Sequence, residues 1–84
     1  METSKIEKLI ADGRIDEAKV AIGNLDTAEA HYLLGRIAWK LGKRSVAISE
    51  YEHSAAIAPD GPGAVALEQV REIMDFFNHD LYNP

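Results

Sequence analysis

One predicted helical face in the middle of the chain gathers side chains suited to binding. Five residues fall on the polar side of a helix whose other side is apolar: Glu29, Tyr32, Arg36, Trp39 and Lys40. Trp and Arg are enriched at the energetic centres of protein interfaces, and an Arg guanidinium can bind a carboxylate through two hydrogen bonds. The pattern therefore predicts a binding surface, and an acidic or C-terminal peptide is the expected ligand. The alternative is that Trp39 packs against a neighbouring hairpin while Arg36 and Lys40 are solvated.

Catalytic and metal-binding patterns are weak in this sequence. His31 is expected to be a packing residue and His53 an exposed one. Asp75 and His79 lie four positions apart on a predicted helix, a spacing that suits one metal ion, but two ligands do not make a site. The chain has no cysteine, so no thiolate can bind metal or attack a substrate. We therefore expect no enzyme activity, no metal and no cofactor. The alternative is a small enzyme or metal protein that uses His79 with Asp75.

Length and charge limit the classes of protein that fit. The 84 residues allow one small domain, and 46% hydrophobic with 27% charged residues is typical of a globular chain. A net charge of −5 disfavours nucleic acid as the main ligand, because phosphates would be repelled. No apolar run is long enough for a signal peptide or a membrane span, which predicts a cytoplasmic protein with no membrane partner.

The N-terminal part predicts two short helices. Ser4 and Glu7 have the spacing of a capping box, and Gly13 has the backbone freedom that ends helices. A second apolar stripe follows, and the loop at residues 23–27 ends it; the stripe comprises Ile15, Ala18, Ile22 and Leu25.

The central part predicts a longer helical hairpin. Asp26 and Glu29 again have cap-like spacing. Two apolar stripes follow, of which the first ends at Gly42 and the second at Pro59. The first stripe comprises Ala30, Leu33, Leu34, Ile37, Ala38 and Leu41; the second comprises Ala47, Ile48, Tyr51, Ser54, Ala55 and Ala58. The short joint requires the two helices to pack as antiparallel neighbours.

The last predicted helix begins near Pro62 and is apolar around more of its surface than a solvent-facing helix needs. Its inner face comprises Ala66, Leu67, Val70, Ile73, Met74 and Phe77. A second set is expected to cap the fold, with the tail folding back, or to pair with another copy in a homodimer: Val65, Phe76, Phe77, Leu81 and Tyr82.

The chain contains an internal repeat. Gly13 precedes Ala18 by the same interval as Gly42 precedes Ala47, and repetition of helical hairpins is typical of solenoids. Residues 28–61 resemble the tetratricopeptide repeat, a helical hairpin of about 34 residues. The matching positions are Leu34, Gly35, Gly42, Ala47, Tyr51 and Pro59; the departures are His31 in place of Trp, Ala38 in place of Tyr, and Ser54 in place of Ala.

The resemblance implies an all-α solenoid fragment of about two and a half repeats. Its expected parts are a short degenerate repeat at 1–26, a full repeat at 27–61, a capping helix at 62–77 and a tail at 78–84. It also implies that the first helix of each repeat lines a concave groove. The expected function is a non-catalytic protein-interaction module; the alternative is a structural module that self-associates through the C-terminal aromatic helix.

Overall fold

The chain folds into helices joined by short turns. A computed structural model describes the backbone of residues 2–82 and the side chains of residues 2–74. The helices are α1 (Thr3–Ala11), α2 (Ile15–Ile22), α3 (Ala28–Lys40), α4 (Arg44–Ile57) and α5 (Pro62–Tyr82). No strand occurs within residues 2–82, so the all-α prediction is confirmed. None of the described helices is both long and apolar enough to cross a bilayer.

The same turn closes both hairpins. Gly13 and Gly42 have φ values of 81° and 78°, in the left-handed region that favours glycine. In the second turn the amide of Gly42 donates to the carbonyl of Trp39 at 3.0 Å, and that of Lys43 donates to Ala38 at 2.8 Å. Gly13 and the residue after it make the equivalent bonds at 3.0 and 2.8 Å. These paired bonds form a Schellman motif, which satisfies the last carbonyls of each helix.

The helix starts differ from those predicted by the capping patterns. Helix α3 is capped by Thr27, whose Oγ1 accepts from the amide of Ala30 at 3.1 Å, and not by Asp26. Helix α1 begins at Thr3 with no side-chain cap, so Ser4 lies inside the helix. Glu7, the other half of the predicted capping box, is instead bonded to α3. Both errors have one cause: local spacing does not reveal competing tertiary partners.

Helix α3 is the centre of the fold. Its buried residues join two hydrophobic clusters, one with α1 and α2 and the other with α4 and α5. The first cluster comprises Ile6, Ile10, Ala18, Ile22, Ala30, Leu33 and Ile37. The second comprises Ala38, Ala47, Tyr51, Leu67 and Val70. The predicted stripes are therefore mostly buried, while Leu25, Leu41 and Ile73 at their margins are exposed.

Helices α3 and α4 approach closely. Gly35 lies directly against the ring of Tyr51, where a Cβ would be 2.5 Å from Cδ1. Near the other end, the buried Ser54 hydroxyl donates to the carbonyl of Ala28 at 2.7 Å. This bond explains why a polar residue is tolerated at a core position of α4.

Helices α1, α3 and α5 lie side by side, because α3 contacts both of the others. Helix α2 packs on α1 and α3, and α4 packs on α3 and α5. Helix α5 starts at Pro62 as predicted but continues to Tyr82, so residues 78–82 extend the helix and do not fold back as a tail.

Candidate functional site

The side-by-side helices create a groove centred on α3. Arg36 and Trp39 of α3, with Tyr51 of α4, border two adjoining recesses of about 250 Å³ each. The first recess also has Ile10 and Ala11 of α1 and Lys40 of α3 in its wall. The second is closed by Tyr32 and by α5, through Ala66, Gln69, Val70 and Ile73. We call this surface, made of both recesses, the α3 groove.

Four of the five predicted groove residues come together there. Tyr32, Arg36, Trp39 and Lys40 all line the α3 groove. Glu29 lies exposed in the first turn of α3 and lines neither recess. Sequence reasoning missed the contributions of α1, α4 and α5. Among these, Tyr51 of α4 had a usable signal, since it lies on the apolar stripe predicted to pack against α3.

A polar network holds the cationic residues of the groove. The Tyr32 hydroxyl donates to Oε1 of Glu7 at 3.0 Å, and Nη1 of Arg36 donates to the same oxygen at 3.3 Å and to the Tyr32 hydroxyl at 3.2 Å. The bond to Tyr32 is the main reason that the pKa of Arg36 lies above its ordinary value. Lys40 donates to the carbonyl of Ala11 at 3.2 Å. A carboxylate entering the groove would therefore meet a positioned guanidinium that is already shared with Glu7.

Trp39 has two roles in the structure. It is half-buried and packs against the second hydrophobic cluster, which is formed by its own hairpin and α5. It also borders both recesses, and the guanidinium carbon of Arg44 lies 5.7 Å from the centre of its ring. This distance is within the range of a cation–π interaction. The indole is thus fixed by packing while still contributing to the groove.

Tyr51 forms the apolar floor of the groove. Only 4% of its surface is exposed. Burial is the largest cause that raises its pKa to about 12, and the neighbouring Tyr32 adds to the shift. The neutral phenol is thus strongly preferred in the folded chain, whereas an unfolded chain loses this proton near pH ~10.

Tyr51 should therefore make the protein lose stability in alkali. The buried neutral phenol makes its full contribution to the free energy of unfolding below about pH 10. This contribution is lost as the pH rises towards about 12, since the unfolded chain then binds fewer protons than the folded chain. At about pH 11 the loss should be about 1.4 kcal/mol. Urea unfolding of wild type and Tyr51→Phe at about pH 8 and pH 11 measures it, because the variant lacks this phenol. Equal losses in both proteins would contradict the assignment.

A second polar cluster lies where the α2–α3 loop meets α3 and α4. Nδ1 of His31 is 2.7 Å from Oε1 of Glu50, and its Nε2 is bonded to Asp26. These two carboxylates, Asp26 first, raise the pKa of His31 above its ordinary value. The ring of His53 stands edge-on to His31, with centroids 5.2 Å apart. Sequence reasoning missed the cluster because its members come from three separate segments.

The predicted self-association surface is described only in part. Val65 is 54% exposed on α5. The side chains of Phe76, Phe77, Leu81 and Tyr82 lie outside the described residues, as do those of Asp75 and His79. The homodimer and the predicted metal pair therefore stay predictions.

Comparison with known proteins gives no assignment for the α3 groove. The chain matches no family model, no curated protein and no solved structure. The resemblance to the tetratricopeptide repeat therefore rests on the sequence positions quoted above, and membership of that family stays a prediction.

Proposed function

We propose that the chain is a non-catalytic protein-interaction module of the tetratricopeptide type that binds an extended peptide in the α3 groove. The observation that carries the proposal is the placement of Arg36 and Trp39 between two recesses floored by Tyr51. An anchor of this composition is typical of interface hot spots. The matching turns at Gly13 and Gly42 support the repeat character of the scaffold.

The shape of the groove favours a peptide over a compact small molecule. Two recesses that adjoin along α3 suit successive side chains of an extended segment, whereas small-molecule sites enclose most of one ligand in a single cavity. The side chains of Arg36 and Glu7 are 39% and 33% exposed, so water reaches this ion pair. An incoming ligand can therefore displace Glu7 from Arg36.

The charges of the groove favour an acidic partner. Arg36 and Lys40 line the groove with Trp39, Arg44 lies 5.7 Å from the centre of the indole ring, and Glu7 is the carboxylate bonded to Arg36. An incoming aspartate, glutamate or terminal carboxylate could accept from Arg36 in place of Glu7. We place this function in the cytoplasm, with neither nucleic acid nor membrane as the partner.

The double variant Arg36→Ala/Trp39→Ala tests the function. We expect at least about 30-fold weaker binding of peptides selected by display on the wild-type protein, since one hot-spot truncation alone costs about 2 kcal/mol or more. Fluorescence anisotropy with matched acidic and basic peptides measures the affinity and the charge preference. Circular dichroism should show unchanged helicity.

The control variant is Arg14→Ala/Val20→Ala, which removes a cationic and an apolar side chain outside the groove, from exposed positions at the N-cap of α2 and within it. It should bind like wild type. Equal affinity of all three proteins would refute the site, and a preference for basic peptides would refute the acidic partner.

The alternative function, self-association through α5, is favoured by the exposure of Val65. Light scattering on the same proteins distinguishes the two proposals. A dimer that Val65→Glu dissociates, with no selected peptide binding the groove, would support the structural module.

A further inference from the structure

The cluster at the junction of α3 and α4 has the composition of a metal site. His31 comes from α3, while Glu50 and His53 are three residues apart on α4 and so share one face. One ligand atom from each of the three lies within 4.8 Å of the other two. Two imidazoles and a carboxylate form a donor set that Zn²⁺ uses when it keeps a fourth position open.

The distances allow one ion to join the three side chains. Nδ1 of His31 and Oε1 of Glu50 are 2.7 Å apart, and Nδ1 of His53 is 3.9 Å from that same oxygen. Ligands bound to zinc at about 2.0–2.2 Å are separated by roughly 3.4 Å in a tetrahedron. The distance between His31 and Glu50 must therefore increase slightly, and the distance between His53 and Glu50 must decrease. His53 can make this adjustment because its side chain is 64% exposed.

Asp26 occupies the position of an orienting residue. It is bonded to Nε2 of His31, the nitrogen turned away from Glu50. Metal-binding imidazoles commonly donate their second N–H to a carboxylate, which fixes the orientation of the ring and makes the free nitrogen a better ligand. With Asp26 holding Nε2–H, Nδ1 of His31 is the nitrogen left to coordinate.

The site is accessible from solvent. A recess of about 400 Å³ adjoins the cluster and is lined by Asp26, His31, His53, Ala56 and Ile57. An ion can therefore enter without unfolding of the helices, and a water molecule can fill its fourth position. The recess shares no lining residue with the α3 groove, so the two sites can be tested separately.

The geometry points to a binding site for a divalent transition-metal ion such as Zn²⁺, with His31, Glu50 and His53 as ligands and Asp26 as the positioning residue. The ion replaces the proton between His31 and Glu50, and that proton is released to solvent. Binding joins α3 to α4 beside the α2–α3 loop. This inference is independent of the proposed peptide binding.

Isothermal titration of metal-free, untagged protein with ZnCl₂ in slightly alkaline buffer tests the site. We expect saturation at about one ion per chain, and Zn²⁺ at about ten times Kd should raise the Tm by about 5–10 °C. Replacement by Co²⁺ should give the visible absorption of a tetrahedral ion. No saturable binding would overturn the proposal.

Variants locate the ion. His53→Ala, at an exposed position that should not disturb folding, is expected to weaken Zn²⁺ binding at least about 30-fold, and Glu50→Gln likewise. Asp26→Asn should weaken it about 10- to 100-fold while keeping the stoichiometry and the Co²⁺ spectrum, as expected of a positioning residue. His79→Ala is the matched control and should bind like wild type. Unchanged binding by His53→Ala, or loss of binding in His79→Ala, would overturn the assignment.

Discussion

Replacing Leu33 with Ala is expected to lower the free energy of unfolding by about 3–5 kcal/mol. Leu33 is fully buried in the first hydrophobic cluster, where α3 packs against α1 and α2. The substitution removes apolar contacts and leaves a cavity that helices on every side prevent from collapsing. A domain of this length has a total stability of roughly 4–13 kcal/mol, so much of the stability should be lost.

Urea unfolding followed by circular dichroism measures this effect. Leu41→Ala is the matched control, since it makes the same substitution at the C-cap of the same helix, where 47% of the residue is exposed. That control should lose about 1 kcal/mol or less. Similar losses in the two variants would mean that Leu33 is not enclosed by the first hairpin.

Replacing Gly35 with Ala should also destabilise the protein, by about 2–3 kcal/mol, even though Ala favours helix by about 1 kcal/mol over Gly. The new methyl group would overlap the ring of Tyr51, which is buried between α3, α4 and α5 and cannot move aside freely. The Tm should fall by about 10 °C or more.

A double-mutant cycle with Tyr51→Leu tests the cause. Because the smaller side chain makes room for the methyl group, Gly35→Ala should cost less in the Tyr51→Leu background than in wild type, with a coupling of about 1–3 kcal/mol. Additive losses would show that the clash with Tyr51 is not the source of the destabilisation.

Leu33, Gly35 and Tyr51 also show how far the sequence predicts the fold. Leu33 lies in an i, i+3, i+4 stripe, and a stripe of this period on a helix must be buried against another element. Gly35 and Tyr51 are both matching positions of the repeat pattern, and the structure places them in contact. The turns at Gly13 and Gly42 followed from the one residue type that readily adopts positive φ.

Prediction failed where two local choices were equivalent. Asp26 and Thr27 are both good cap residues, and the structure assigns the cap to Thr27 while Asp26 bonds to His31. Glu7 fits a capping box by spacing, but in the structure it accepts a hydrogen bond from Tyr32, which lies 25 residues further along the chain. A side chain with several possible partners is settled by tertiary contacts, which local spacing does not contain.

The sequence by itself determined the helical hairpins, their turns, the buried stripes and the four α3 side chains that face the groove, because these depend on periodicity and on local backbone preference. Only the tertiary structure decided what closes the groove from α1 and α5, which carboxylate pairs with Arg36, and that His31, Glu50 and His53 meet. Those features depend on distances between segments far apart in the chain, and such distances exist only after the two hydrophobic clusters have packed against α3.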